Sequence, residues 1–122
     1  MQAFVAHIWG VELRWAQRIA GLPVMRKEEV PVSSLDALFA LHSKAVEIYR
    51  GVLADSEWDW EAIVSLNYDW LPAQAQKCTR RKVMAHGLIH SQRHWAQLAT
   101  LVRTAGEPSG FQGDLLFSLA MR

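Results

Sequence analysis

The sequence predicts an all-α fold in which three long helices and a short C-terminal segment form an up-down bundle. Three segments repeat apolar residues every three or four positions, as the buried face of an amphipathic helix does. Strand signals are weak, and the one candidate, Ala62–Leu66, is bounded by polar turns. A chain of 122 residues is one domain by the usual length prior, so we assign residues 1–122 to a single domain.

The first helix is expected from about Gln2 to Ala20, where Gly21 and Pro23 provide the stop. The second is expected to begin at Ser33 or Ser34, with Asp36 in its first turn, and to run to about Leu53. The predicted buried stripe of the first helix is Phe4, Ile8, Val11, Trp15 and Ile19. The predicted stripe of the second is Leu35, Leu38, Leu41, Ala45, Ile48 and Val52.

A long connection is predicted from Asp55 to Cys78, with a short strand or a turn of helix within it. Its tryptophans and tyrosine favour packing against the bundle, since long loops in compact domains are usually functional or held by their own side chains. Thr79 can cap a third helix that runs to about Ala105, where Gly106 and Pro108 end it. The apolar run Leu115–Met121 is expected to dock on the bundle.

Composition excludes several classes of protein. Thirteen basic and twelve acidic residues leave a net charge of +1, and the one short basic cluster, Arg80 to Lys82, is no footprint for nucleic acid. Cys78 is the only cysteine, so no intrachain disulfide can form. The first ten residues resemble neither a signal peptide nor a membrane anchor, so we expect a cytoplasmic protein with no membrane partner. Three long helices make an open bundle, which favours a homodimer.

The strongest chemical signal is a row of histidines on the third helix. His86, His90 and His94 are each four residues apart and therefore stack along one face. Positions 86 and 94 are separated by about 12 Å of helical rise, so the three cannot share one ion. His90 and His94 lie on the inward side and are the better pair, and Gly87 leaves room for another element to approach.

A third ligand is expected from a facing helix, because open metal sites commonly use three protein ligands. His7 is the candidate, with the small residues Ala3 and Gly10 one turn away on either side. Imidazoles suit zinc, nickel, iron or copper without choosing among them. The alternative is a histidine stripe that is part of the core, the rim or a dimer interface.

Three other residues, His86, Gln97 and Glu12, are candidates for supporting such a site. Gln97 could hold a bound water or the free ring nitrogen of a ligand, and Glu12 could accept a ring proton and so fix a ligand tautomer. The alternatives are that Gln97 is a polar residue at the end of the stripe and that Glu12 lies on a solvated helix face, which for Glu12 is the favoured interpretation. His42 is interpreted as a core or rim histidine. The residue after His90 is serine rather than the glutamate of zinc proteases, which argues against proteolysis.

Two segments, HIWGVELRWAQRIAG and HGLIHSQRHWAQL, resemble the DinB/YfiT-like family of metal-binding four-helix bundles, and the similarity spans most of the chain. The resemblance implies that His7, His90 and His94 bind a divalent metal. It also matches Gln97 and His86 to a glutamine and a further histidine of that family. Members usually have a helix before the first ligand, whereas this sequence starts six residues ahead of His7. We expect a shortened form, a true start upstream, or a partner subunit that fills the gap.

For activity, the resemblance implies a metal-dependent enzyme of the transferase or hydrolase type with a small-molecule substrate. Some relatives are thiol transferases that use low-molecular-weight thiols such as bacillithiol or mycothiol, and one type isomerises maleylpyruvate. The cofactor we expect is a divalent zinc, nickel, iron or manganese ion. The alternatives are a non-catalytic stress-response module with a structural or vestigial metal site, and a plain dimerisation protein.

Overall fold

The computed structural model describes residues 2–108, which fold into three long helices and a small two-stranded sheet. Helix α1 is Gln2–Ala20, α2 is Leu35–Ala54 and α3 is Arg80–Thr104. Strands β1 (Ile63–Ser65) and β2 (Lys77–Thr79) pair antiparallel, with Val64 opposite Cys78. Short 3-10 turns occupy Lys27–Glu29 and Ala73–Ala75. The prediction of a mostly helical protein is confirmed, and the run Leu115–Met121 lies outside the described residues.

Side-chain caps set where the second and third helices begin. Ser34, rather than Ser33, caps α2 by accepting a hydrogen bond from the Ala37 backbone N–H at 3.2 Å. Thr79 caps α3 in the same way through the N–H of Lys82, at 3.2 Å. Gly21 ends α1 with a φ of 69°, a left-handed conformation that glycine adopts without steric cost. The predicted helix boundaries are therefore correct to within about one residue.

Helix α1 is the centre of the fold, because it packs on both other helices and contributes to both apolar clusters. One cluster joins α1 and α2 with Leu98 of α3. The other joins the far half of α1 to the aromatic connection and the start of α3, with Val64 and the free thiol of Cys78 buried in it. One predicted stripe position is wrong, since Leu35 of α2 is about half exposed. Leu101 of α3 is exposed to a similar extent.

The sequence predicted one of the two strands of the sheet. The predicted strand candidate Ala62–Leu66 contains β1, but β2 was missed because a segment of three residues is too short for its alternation to be told from a loop. Pairing with β1 is a contact between distant segments, and it brings the connection back to the start of α3. The backbone N–H groups of Arg80 and Arg81 continue this attachment by donating to the carbonyls of Ala62 and Trp60.

None of the helices among residues 2–108 is long and apolar enough to span a bilayer.

Candidate metal centre

Three histidines from two helices meet at one point of the fold. His7 lies near the start of α1, and His90 and His94 lie one turn apart on α3. The ring centroid of His7 is 5.5 Å from that of His90 and 5.0 Å from that of His94, and the last two are 4.3 Å apart. One potential ligand atom from each residue lies within 4.8 Å of the other two. The structure thus brings together the three residues that the sequence singles out.

The spacing of His90 and His94 fits a shared tetrahedral ion. Their Nε2 atoms lie 3.2 Å apart. Two imidazole nitrogens bound to one tetrahedral zinc, each at 2.0–2.1 Å, would be about 3.3 Å apart by simple trigonometry. His7 is the exposed member of the group and the other two are half-buried, so the site is open to solvent on the α1 side. The donor set therefore fits a divalent cation of the imidazole-binding class.

Gln97 sets the orientation of the His94 ring. The Nδ1–H of His94 donates to Oε1 of Gln97 at 2.6 Å, which leaves the lone pair of Nε2 directed toward His90. A partner on the second ring nitrogen is the usual way in which proteins fix the tautomer of a metal ligand. The predicted supporting role of Gln97 thus has a geometric basis.

Burial keeps two of the histidines ready to bind a cation. Desolvation lowers the pKa of His90 to about 4, and the neighbouring His94 and His7 add to this effect. Desolvation also lowers the pKa of His7, with further contributions from His94, Arg14 and Lys27. Both imidazoles are consequently neutral at pH 7, and a neutral ring is the form that coordinates a metal.

His86 lies beside this group but is not part of it. Its ring packs edge-on against Trp15 at 5.2 Å and is 5.8 Å from the ring of His90. His86 is not among the three converging ligands, as expected from the helical rise between positions 86 and 94. His86 therefore serves as an experimental control on the same helix.

Glu12 has a different role from the predicted one. Its Oε2 lies 2.8 Å from Nδ1 of His42, so it pairs α1 with α2 instead of supporting a ring of the three-histidine group. Tyr49 donates its hydroxyl to the backbone carbonyl of Glu12 at 3.3 Å in the same region. A single sequence could not reveal this pair, because the two residues are 30 positions apart. His42 is a rim histidine, as interpreted, with its ring stacked 5.8 Å from Trp9.

The two glycines that were expected to leave room for a neighbouring element face different parts of the fold. An added Cβ at Gly10 would lie 2.8 Å from Cγ2 of Val30, so Gly10 admits the connection after α1 rather than α3. An added Cβ at Gly87 would meet Trp15 at an ordinary 3.7 Å, so close packing there does not demand glycine. The helix pair is instead held by the apolar residues around the histidines.

Two cavities adjoin the histidine group. An open groove of about 700 Å³ is lined by Phe4, Gln97 and Leu101 among others, and Phe4 touches His94 edge-on at 5.4 Å. A smaller cavity of about 120 Å³ is lined by His7 itself together with Arg14 and Lys27. Sequence reasoning missed these two cations, because only the path of the connection brings Lys27 near α1.

In comparisons with known proteins, no family model, curated protein or solved structure matches this chain. What the site does must therefore be inferred from its own side chains.

Proposed function

We propose that this chain is a DinB-like helical bundle that binds a divalent metal through His7, His90 and His94 and acts as a metal-dependent enzyme. The observation that carries the proposal is the convergence of three imidazole ligand atoms within 4.8 Å. Without a ligand, His90 and His94 share one hydrogen bond between their Nε2 atoms, and a cation bound by both neutral rings would replace it.

The ligand set supports an open rather than a closed site. Among residues 2–108, the group contains these three histidines and no fourth potential ligand from a cysteine or a carboxylate. Three protein ligands with a free position are typical of catalytic centres, whereas structural sites are closed by a fourth. When bound, a divalent ion in such a site lowers the pKa of a coordinated thiol or water and so supplies a nucleophile at neutral pH.

The chain's own side chains prepare this position. Gln97 holds the His94 ring through Nδ1 and so leaves Nε2 of that ring unprotonated, and burial keeps His90 neutral. Phe4 covers one edge of the His94 ring and limits water on that side. The adjoining groove and cavity admit a small molecule. These features favour thiol transfer or hydrolysis, with a low-molecular-weight thiol as one substrate class.

The direct test is zinc titration of metal-free protein purified without a histidine tag. We expect one zinc per chain and a melting temperature that rises by about 10 °C at 100-fold excess over Kd, since such an excess stabilises by about 2.7 kcal/mol. His90→Ala and His94→Ala should each lose about 3 kcal/mol of binding free energy, the share of one ligand in a zinc site.

His86→Ala is the matched control, because its imidazole lies one turn from His90, with ring centroids 5.8 Å apart, but is not one of the three converging ligands. It should bind zinc like the wild type. Full metal content in both the His90→Ala and His94→Ala proteins would defeat the assignment. If zinc binds as expected, a low-molecular-weight thiol is added to cobalt-loaded protein. A thiolate-to-cobalt charge-transfer band would show an open coordination position, which a closed structural site lacks.

A second candidate, an interaction module that forms a homodimer, is favoured by apolar side chains left uncovered on α3. Leu88 and Ile89 are 61% and 70% exposed in the structure. Exposed apolar groups of this size on adjacent positions are more common at interfaces than on free surfaces. Sedimentation of wild-type protein and of the Ile89→Lys variant measures this, and a monomer at all concentrations would exclude the dimer.

A further inference from the structure

The small cavity beside His7 is lined partly by apolar and partly by polar side chains. It lies between α1 and the connection that follows this helix, and its volume of about 120 Å³ holds a group of roughly four to six non-hydrogen atoms, given about 30 Å³ per water. Small apolar side chains of α1 and two valines of the connection form one part of it. Polar groups come from His7, Arg14 and Lys27. Within the described range 2–108, no carboxylate lines the cavity.

Arg14 carries an unsatisfied donor. Its Nε is fully buried and has no hydrogen-bond partner, and among residues 2–108 its guanidinium makes no ion pair. Burying a charged donor without a partner is expensive, and hydrogen bonds to charged groups contribute more than neutral ones. Arg14 also lines the cavity, so its other guanidinium N–H groups, which form no ion pair among residues 2–108, can bind an anion there.

Lys27 adds a second positive charge at the same cavity. It lies on the 3-10 turn after α1, and none of its described neighbours forms an ion pair with it. The nearby carboxylate of Glu29 is already engaged by Arg26, through its Nε at 3.0 Å and its backbone N–H at 2.8 Å. Both Arg14 and Lys27 act electrostatically on His7, which places the two charges and the candidate metal ligand in one neighbourhood.

We propose that this cavity binds the carboxylate of a small organic acid, with Arg14 and Lys27 as the binding cations. A planar guanidinium fork matches the two oxygens of a carboxylate. The apolar walls from Ala6, Val30 and their neighbours suit the short aliphatic body that follows such a group. A free phosphate would leave these walls without an apolar partner, which is why we assign the carboxylate.

The site also bears on the substrate of the proposed enzyme. Because His7 lines the cavity and belongs to the histidine group, an acid held by Arg14 and Lys27 would extend toward the metal. The substrate or its thiol partner would then be a short-chain carboxylate. This last step rests on the proposed function, whereas the anion site itself does not.

The test is calorimetric titration of metal-free protein with butyrate. We expect saturable binding with a Kd in the millimolar range, and little binding of neutral butyramide or of inorganic phosphate. Arg14→Gln should weaken butyrate binding about tenfold and Lys27→Gln about threefold, as expected for a partly buried and an exposed cation. Lys44→Gln is the control, since Lys44 is exposed on α2 and does not line the cavity.

Lys27 is exposed, so its variant should fold even if Arg14→Gln does not, and melting curves verify this. Absence of saturable butyrate binding, or equal binding by the Lys27→Gln and Lys44→Gln proteins, would overturn the proposal. Tighter binding of phosphate, weakened by the same substitutions, would overturn the choice of a carboxylate. Zinc titration of the same samples separates the two proposals. Butyrate binding without zinc binding would support the anion site and contradict the metal centre.

Discussion

The hydrogen bond from His94 to Gln97 offers a sharp test of how the histidine group is organised. The substitution Gln97→Leu removes the acceptor of the 2.6 Å bond while keeping a good helix former of similar size. Gln97 is exposed, so the change should alter the free energy of unfolding by no more than about 0.5 kcal/mol. Its main effect should fall on metal affinity.

The size of that effect follows from the geometry. Without Gln97 the ring of His94 can rotate or take the other tautomer, and Nε2 then no longer points toward His90 at 3.2 Å. Loss of such an orienting partner typically costs 10- to 100-fold in metal affinity, or about 1.4 to 2.7 kcal/mol. Gln97→Glu keeps an acceptor and adds charge, so it should bind zinc at least as tightly as the wild type.

The assay is competition for zinc against a chromophoric chelator, with Gln74→Leu as the control. Gln74 is exposed on the 3-10 turn between the strands and has no part in the histidine group. Zinc affinity of Gln97→Leu within twofold of wild type, in a protein where His94→Ala loses binding, would show that Gln97 does not orient the ligand.

Two further predictions concern stability. Gly10→Ala should lower the free energy of unfolding by about 1 kcal/mol, because its Cβ would lie 2.8 Å from Val30. In a Val30→Ala background, Gly10→Ala should instead raise the free energy of unfolding by about 1 kcal/mol through helix propensity. Urea unfolding of the wild type, the two single variants and the double variant measures both effects. An equal effect of Gly10→Ala in the two backgrounds would show that the contact with Val30 does not matter. For metal-free protein, stability should fall as the pH drops from 6.5 to 4. The unfolded chain binds more protons than the folded chain there, since burial lowers the pKa of His90 to about 4. His90 is only half-buried, so screening reduces the loss to about 1 kcal/mol, and equal unfolding midpoints at pH 7 and pH 4.5 would contradict this.

The helices were predictable because their signals are local. The three-to-four spacing of Ile8, Val11, Trp15 and Ile19 specifies the buried face of α1, and all four are buried. Thr79 could be identified as a cap from its position before an amphipathic run, since capping involves only neighbouring backbone groups. Strand β2 could not, because three residues are too few to show a strand pattern and they acquire their conformation by pairing with the separate strand β1.

The histidine group combines a contact that is local in the sequence with contacts that depend on helix packing. The pairing of His90 with His94 is a property of one helix, so spacing alone predicted that their rings would be neighbours. The arrival of His7 was an expectation supported by resemblance, and it depends on how α1 is placed against α3. Glu12 was expected near a ligand ring, but the packing of α1 on α2 directs it to His42 instead.

The sequence by itself determined the elements that repeat a short-range pattern: three helices, their caps and the paired imidazoles on α3. The tertiary structure alone decided the contacts between segments, namely the approach of Val30 to Gly10, the engagement of Glu12, and the meeting of Arg14 and Lys27 at one cavity. The physical reason is that helix formation depends on residues within about four positions, whereas these contacts depend on rotation of one helix against another and on the path of a connection.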